Sequence, residues 1–306
     1  MRRCRIESMG TSLPASRFPR WGSLKHATNA GRQCLKNSRY NPEDVRVLIN
    51  TGVHRDQHVC EPAIACYVQR ELDINIEFQG RRTLAFDLLN GGCGMLNAAH
   101  VVQSLMLSNE IQVGLVVSSE ANSDKEPDPE YTYPASGAAL LLDISPRDHT
   151  GFGEFVFHSH EEHSGLYTSV VSLGEKNGRI RIKRAAELED VYLACARPLV
   201  DELLEKEGLS RDDIDLIVPA QISAGFVQRL PDMIGFSPDK VCDYTSEMAD
   251  TLSTSTFLAL HRLLESGRAF ESKTLLLLSF GSGVTVGAAT YHLPGEGQIP
   301  PAGKVE

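Results

Sequence analysis

The sequence predicts an α/β protein built from two similar halves. Its predicted strands are almost continuously apolar, which is typical of sheets covered by helices on both faces. Two helix–strand patterns recur after about 160–170 residues, which indicates a duplicated unit. The chain has 306 residues, of which 42% are hydrophobic, so two halves can share an ample core.

The first half supplies both patterns. Tyr40–Val53 has a turn, an acidic pair and a short β-branched run, which predicts a helix end and a buried strand. Gly94–Asn109 then predicts an amphipathic helix that leads into the strand Val113–Ser118.

The second half repeats them in the same order. Leu209–Ile222 matches the first pattern, and the helix Ser253–Gly267 followed by the strand Thr274–Ser279 matches the second. The alternative explanation is that any α/β chain shows such similarities by chance. We place the join in the glycine-containing, more polar region that begins near Thr150, which divides the chain into halves 1–150 and 151–306.

Charge and composition exclude several classes of protein. The net charge of −10 argues against broad nucleic-acid binding, which needs a basic surface. No apolar run approaches the ~18 residues of a membrane span. The seven cysteines form no CxxC pair, so they predict reduced, mostly buried thiols in a cytoplasmic protein and no zinc ribbon.

The segment Thr83–Asn97, TLAFDLLNGGCGMLN, has the most distinctive chemistry. A predicted strand, Leu84–Leu88, runs into glycines on both sides of Cys93, and a helix follows Gly94. A cysteine at a helix N-terminus has nearby N–H donors and a positive dipole, which favour the thiolate and can hold an oxyanion. We interpret Cys93 as a nucleophile, and the alternative is a small buried side chain that fills a tight turn.

Four stretches carry a resemblance to a known family. They are Phe86–Gly94 (FDLLNGGCG), Tyr133–Leu142 (YPASGAALLL), Leu278–Gly287 (LSFGSGVTVG) and Arg5–Pro14 (RIESMGTSLP). Together they resemble the thiolase superfamily, and within it the β-ketoacyl-acyl-carrier-protein synthase III-like group. The resemblance implies a five-layered αβαβα fold, usually a homodimer, and acyl transfer in a fatty acid, polyketide or secondary-metabolite pathway.

The same resemblance assigns roles around the cysteine. Cys93 matches the acyl-accepting nucleophile. The loop Phe280–Gly283 matches the one whose backbone N–H joins that of the cysteine in the oxyanion hole. Ser282 stands where glycine is usual, but it keeps a backbone donor.

Two further catalytic positions depart from the family pattern. Ala220 stands where a histidine normally follows Val-Pro, and Asp250 replaces the usual asparagine. A carboxylate facing an enolate would repel it unless protonated, so decarboxylative condensation is doubtful. Gln221 and Ser223 are candidate replacement donors.

Glu61 is a candidate base. It precedes Pro62 in a loop that, in the family, reaches into the partner subunit's acyl pocket. Where two acyl thioesters condense head to head, a glutamate of this loop removes the α-proton, and Glu61 resembles it. A carboxylate in an apolar tunnel would have a raised pKa suited to that task. The alternative is an acid placed near a helix start by the dipole.

The substrate expectation is an acyl thioester, with no cofactor and no metal. The connection after Leu13–Pro14 is shorter than in the family, where it helps to bind coenzyme A, so a carrier-protein thioester is an equal candidate. The histidines His158, His160 and His163 predict a polar strand or loop rather than a metal site. Arg179–Arg184 predicts a half-exposed strand, or else a docking patch for an acidic carrier protein.

Three functions follow as hypotheses. The first is an acyltransferase that forms an acyl-enzyme on Cys93 and condenses it with help from Glu61. The second is a non-condensing acyltransferase or thioesterase in which Asp250 positions the acceptor. The third is a catalytically impaired subunit that forms a heterodimer with an intact homologue.

Overall fold

The strands that the structure describes form two large sheets and a separate hairpin. The structure, a computed structural model, describes residues 3–14, 22–76, 82–171, 174 and 178–294. Eleven strands lie in this part of the chain: β1 (Cys4–Ser12), β2 (Val47–Asn50), β3 (Leu84–Asp87), β4 (Val113–Glu120), β5 (Ser136–Ile144), β6 (Gly151–Ser159), β7 (Tyr167–Val171), β8 (Ile180–Arg184), β9 (Leu216–Pro219), β10 (Thr274–Gly281) and β11 (Thr285–His292).

Each of the two large sheets takes its strands from one part of the sequence. The first has the order β1-β5-β4-β2-β3 and the second has the order β6-β11-β10-β9. In the first sheet β2 runs parallel to β3 and β4, and β5 is antiparallel to its neighbours. In the second, β10 runs parallel to β9 and antiparallel to β11. The remaining strands, β7 and β8, pair only with each other in the described part of the chain.

Six α-helices of the described residues pack on the faces of these sheets. They are α1 (Ser23–Asn37), α2 (Ile64–Glu71), α3 (Gly94–Leu107), α4 (Leu188–Glu207), α5 (Ala224–Ile234) and α6 (Ser255–Glu265). Helices α1 and α2 pack on the outer face of the first sheet, and α4 and α5 pack on the outer face of the second. Helices α3 and α6 lie between the sheets. This is the five-layered αβαβα arrangement that the resemblance implied.

Strands buried on both faces explain the continuous apolar runs. In β2, Leu48 faces the outer cluster with α1 and α2, whereas Val47 and Ile49 face the central cluster. Both faces exclude water, so neither face needs polar residues. The predicted helix–strand units are confirmed as α3 with β4 and α6 with β10.

Helix length bears on membrane association. No helix among the described residues is long and apolar enough to cross a bilayer.

Candidate active site

Cys93 lies at the predicted strand-to-helix turn. Strand β3 ends at Asp87, a 3₁₀ turn covers Gly91–Cys93, and α3 begins at Gly94. Gly91 has φ of +51°, a conformation that side chains other than glycine rarely adopt. The glycines therefore make the sharp turn possible and place Cys93 at the N-terminus of α3.

This turn packs directly against the loop between β10 and β11. A β-carbon at position 92 would lie 2.1 Å from the Phe280 carbonyl oxygen, so only glycine fits there. A β-carbon at position 281 would lie 2.9 Å from the Asn90 carbonyl oxygen. The Sγ of Cys93 lies 3.4 Å from the Thr285 carbonyl oxygen. The cysteine turn and the late glycine-serine loop thus meet at backbone distance, as the resemblance implied.

Cys93 is fully buried, and burial raises the pKa of its thiol. The expectation from the helix N-terminus was the opposite direction. A helix dipole contributes about 0.3–1 kcal/mol, rarely ~2, whereas burial shifts pKa values by as much as 3–5 units. Desolvation therefore outweighs the dipole, and the resting group is the neutral thiol.

The backbone donors beside Cys93 are partly engaged. The Cys93 N–H donates to the Asn90 carbonyl oxygen at 3.0 Å, within the 3₁₀ turn. Stabilising an oxyanion with this N–H requires the donor to be shared or released. The backbone nitrogen of Ser282 lies against Gly91, 3.0 Å from where a β-carbon would stand.

A small cavity lies where the family's histidine and asparagine are replaced. Its volume is about 20 Å³, enough for one water molecule. Its lining includes both replacing residues, Ala220 and Asp250, together with Ser282 of the late loop. Cys93 is not among the described residues that line it. Ala220 offers no side-chain donor to this space, so the residue at that position does not replace the missing imidazole.

Sequence reasoning did not assign four polar residues to this cavity. They are Tyr133, Tyr167, Arg184 and Tyr192. The Arg184 guanidinium donates to the Tyr133 hydroxyl at 3.1 Å, and the Tyr133 hydroxyl donates to Tyr167 at 3.2 Å. These residues lie on separate elements, so no local motif could have indicated their meeting.

Asp250 is the titratable group of the cavity. One carboxylate oxygen accepts the Leu252 N–H at 2.9 Å, and the other lies 3.8 Å from Arg184. Burial dominates these attractions and raises the pKa of Asp250 to about 7. The carboxyl group is therefore partly protonated at neutral pH, which removes part of the repulsion expected toward an enolate.

Gln221 and Ser223 make contacts that hold the local backbone. The amide of Gln221 donates to the carbonyl oxygens of Pro219 and Cys242 and accepts the Tyr244 N–H. Ser223 is the N-cap of α5, where its hydroxyl accepts the Phe226 N–H and donates to Glu189. The Gln221 amide and the Ser223 hydroxyl were the candidate replacement donors for the active site, and these contacts engage both of them. Both residues therefore have structural roles.

Glu61 lies in a different cavity. It is exposed, precedes a cis Pro62, and lines a space of about 540 Å³ beside the β7–β8 hairpin. This larger cavity shares no described lining residue with the small one that contains Asp250. Within one chain, Glu61 and Asp250 therefore face separate spaces.

The weaker candidates have ordinary partners. His158 forms a 2.7 Å contact with Glu202, and both His160 and His163 lie within 4 Å of Glu162. Among the described residues, no group of His, Cys, Asp or Glu is arranged to hold a metal ion. The basic segment forms the half-exposed strand β8.

Comparison with protein families gives one match. Residues 204–293 match the C-terminal domain of 3-oxoacyl-[acyl-carrier-protein] synthase III. This region contains both replaced positions, Ala220 and Asp250, and the late loop.

Curated relatives span most of the chain. The β-ketoacyl-[acyl-carrier-protein] synthase III of Anaplasma marginale is 27% identical over 289 residues, covering 87% of this chain and 83% of that protein. The enzyme of the same name from Aquifex aeolicus is 23% identical over 271 residues, covering 86% and 81%.

Solved structures with the same fold cover nearly the whole chain. The priming β-ketosynthase of the R1128 polyketide pathway has a TM-score of 0.83 at 19% identity, covering 97% of this chain and 98% of that one. A Xanthomonas campestris OleA variant, solved with lauric acid and lauroyl-CoA, has a TM-score of 0.81 at 19% identity, covering 95% and 99%.

Proposed function

We infer that this chain belongs to the β-ketoacyl-[acyl-carrier-protein] synthase III-like group of the thiolase superfamily. On that basis it is an acyltransferase that forms an acyl-enzyme on Cys93. The observation that carries the assignment of Cys93 is the backbone contact between its turn and the late glycine-serine loop. Because of that contact, the Cys93 sulfur lies at a helix N-terminus and beside the backbone of the late loop.

The first step exchanges one thioester for another. The Cys93 sulfur attacks the carbonyl carbon of an acyl thioester, the donor carbon–sulfur bond breaks, and the thiol proton of Cys93 goes to the departing thiol. Neither oxidation nor a cofactor is needed. Because Cys93 is fully buried, the donor must open a path to the sulfur when it binds.

The second step depends on Asp250 and on Glu61 of a partner subunit. Protonated Asp250 can donate a hydrogen bond to a developing oxyanion, and the carboxylate can position or deprotonate an acceptor. In a homodimer, Glu61 would remove the α-proton for condensation with a second acyl group. We favour condensation, with simple transfer or hydrolysis as the alternative outcome.

The setting of the reaction follows from the same family membership. We propose a dimeric enzyme of the cytoplasm that receives its acyl group from coenzyme A or from an acyl carrier protein. The pathway would be the synthesis of a fatty acid, a polyketide or a secondary metabolite.

A second candidate is a non-catalytic subunit in a heterodimer with an intact homologue. The full burial and raised pKa of Cys93 favour it, together with the absence of an imidazole at Ala220. In that case the chain would shape its partner's acyl pocket through the Glu61 loop.

Intact-protein mass spectrometry separates these candidates. The wild-type chain and Cys93→Ser are incubated with acyl-coenzyme A and acyl-carrier thioesters of several lengths. An acyl adduct on the wild type that is absent from the variant supports the acyl-enzyme. No adduct with any donor, in a folded protein, contradicts it and favours the subunit.

Glu61→Ala distinguishes condensation from transfer. The variant should still be acylated at Cys93, because Glu61 acts only in the second step, but it should form no β-keto product. Glu43→Ala, which removes an exposed acid elsewhere on the chain, is the control. Normal condensation by Glu61→Ala would remove Glu61 from the mechanism.

A further inference from the structure

We propose a second acyl-transfer centre in this protein, formed by Ser169, His54 and Glu120 at the 540 Å³ cavity. Ser169 lies on β7, His54 follows β2, and Glu120 ends β4. The three are far apart in sequence, but the fold connects them in one hydrogen-bonded line. This centre is separate from Cys93 and does not depend on the reaction proposed for it.

The geometry is that of an activated serine. The Ser169 Oγ lies 3.0 Å from the His54 Nε2, and the His54 Nδ1 lies 2.7 Å from a Glu120 carboxylate oxygen. A nucleophile bonded to an imidazole, which a buried carboxylate in turn orients, is the arrangement that makes a hydroxyl nucleophilic.

Glu120 is held as an acceptor from several sides. It is fully buried, and its oxygens accept the backbone N–H groups of Val53 and His54 at 3.0 and 3.1 Å. The Ser253 hydroxyl donates to it as well. Because Glu120 accepts from all of these donors, the proton between it and His54 is placed on the His54 Nδ1.

That tautomer directs the other imidazole nitrogen at Ser169. With the proton on Nδ1, the Nε2 of His54 is an acceptor, so the Ser169 hydroxyl donates to it. The imidazole is fixed in place by the rings of Tyr131 and Tyr133, whose centroids lie 4.9 and 5.9 Å from its own. His54 is therefore oriented as a general base for Ser169.

The centre opens onto a cavity that can hold a substrate. Both His54 and Ser169 line the 540 Å³ space, a volume in the range of small-molecule sites. Apolar side chains form part of its wall, namely Val53, Val59, Leu89, Val171 and Ile180. Arg55 and Asp87 line the same space as an ion pair at 2.9 Å, and the exposed Glu61 lies on it as well. The apolar part of the wall fits a short acyl chain on an activated carbonyl.

The reaction assigned to this centre is acyl transfer to water. The Ser169 Oγ attacks the carbonyl carbon of an ester or thioester, and its proton passes to the His54 Nε2. The carbon–oxygen or carbon–sulfur bond of the leaving group breaks, and the leaving group takes the proton from His54. Water then attacks the acyl-serine with the same base, which releases a carboxylic acid and restores the hydroxyl.

The decisive test is covalent labelling by a fluorophosphonate, which reacts with activated serines. It is performed on the full chain with Cys93→Ala, so that the cysteine site cannot contribute. Peptide mapping should place the adduct on Ser169, and Ser169→Ala should lower the labelling rate by about 10²-fold or more. Thr168→Ala is the matched control, because Thr168 is the exposed neighbour on β7, and it should label at the parent rate.

A second variant tests the proposal even if Ser169→Ala does not fold. In the same background, the introduced thiol of Ser169→Cys, followed by peptide mapping, should react with iodoacetamide at least about tenfold faster than that of Thr168→Cys, because position 169 contacts the His54 Nε2. Equal rates, or no fluorophosphonate adduct on Ser169 in a folded protein, would overturn the proposal.

A hydrolysis assay on the Cys93→Ala protein compares a thioester, butyryl-coenzyme A, with an ester, p-nitrophenyl butyrate. Hydrolysis that disappears with Ser169→Ala identifies the preferred leaving group as a thiol or an alcohol. Since Cys93 is absent throughout, failure here leaves the acyl-enzyme proposal for Cys93 unaffected, and failure at Cys93 leaves this centre unaffected.

Discussion

At the scale of single residues, burial sets the protonation states of the two titratable groups, Cys93 and Asp250, in the candidate active site. Cys93 stands at a helix N-terminus, yet its thiol has a raised pKa because it is fully buried. Asp250 has neighbours that favour its charged form, yet burial still raises its pKa to about 7. Both groups are therefore largely or partly neutral at rest, and Cys93 must lose its proton during catalysis.

Asp250 makes the stability of the protein depend on pH. Its folded-state pKa is raised from 3.8 to about 7, so the folded state binds a proton more tightly than the unfolded state. The stability that this proton gives is complete below pH ~4 and is lost as pH rises through about 7. Asp250→Asn does not titrate, so its unfolding free energy relative to wild type should rise from pH 4 to pH 8, by up to about 4 kcal/mol. Denaturant unfolding across this range measures the difference, and parallel pH profiles would contradict it.

Gly92 tests the contact between the cysteine turn and the late loop. Gly92→Ala should destabilise the protein by about 2 kcal/mol or more and abolish acylation of Cys93, because its β-carbon would overlap the Phe280 carbonyl oxygen. Gly225→Ala is the control, since a β-carbon there meets nothing within 4 Å. That control lies in α5 and should be neutral or stabilising by about 1 kcal/mol. Thermal melts and acylation assays on both variants check the expectation, which equal stability would refute.

Sequence reasoning could locate Cys93 but not the surroundings of its neighbours. Glycines beside a cysteine at a strand-to-helix turn are a local signal, and the turn is confirmed. The contacts of Gln221 depend on which way a side chain leaves the end of β9, which sequence does not encode locally. Likewise, Ser169, His54 and Glu120 are joined only by the fold, since each pair is separated by tens of residues.

At the scale of elements, the strands were predictable from their continuous apolar runs, and the central helices from the small-residue turns that precede them. Strands β4 and β10 are uniformly buried, and α3 and α6 follow small-residue turns. Which elements pack against each other in three dimensions was harder to predict from the sequence. The β7–β8 hairpin stands apart from both sheets and lines the larger cavity, and nothing in the local sequence of either strand indicates which loop the hairpin will cover.

Strand β3 is an edge strand, and we expect it to be where two copies meet. It pairs only with β2 in the described part of the chain, and Leu84 is 60% exposed on it. An uncapped apolar edge favours pairing with another strand. Leu84→Arg should therefore shift a dimer toward the monomer in sedimentation velocity. Leu107→Arg, at an exposed position on α3, should not, and unchanged mass for both variants would exclude β3 from the interface.

At the scale of the whole molecule, the two halves share one core. The central cluster joins Val47 and Leu140 of the first sheet to Leu216 and Leu277 of the second. The contact between Gly92 and Phe280 also spans the halves. Neither half can bury its inner face alone, although each has a complete sheet.

Dividing the chain tests this interdependence. A break between Arg147 and Asp148 falls in an exposed loop between the sheets. Fragments 1–147 and 148–306 should each be insoluble or unfolded when expressed singly, and should recover a folded complex when expressed together. Circular dichroism and size-exclusion chromatography measure both conditions. A first fragment that folds cooperatively alone would show that the inner face does not need its counterpart.

The close approach of the Cys93 turn to the late loop has a consequence for biosynthesis. The sulfur leaves the ribosome nearly two hundred residues before the Thr285 backbone that covers it. During that interval the Thr285 backbone does not cover the sulfur, so the sulfur is more open to oxidants and alkylating electrophiles. A nascent chain stalled before residue 285 should consequently react with a small thiol reagent at Cys93 faster than the finished protein does.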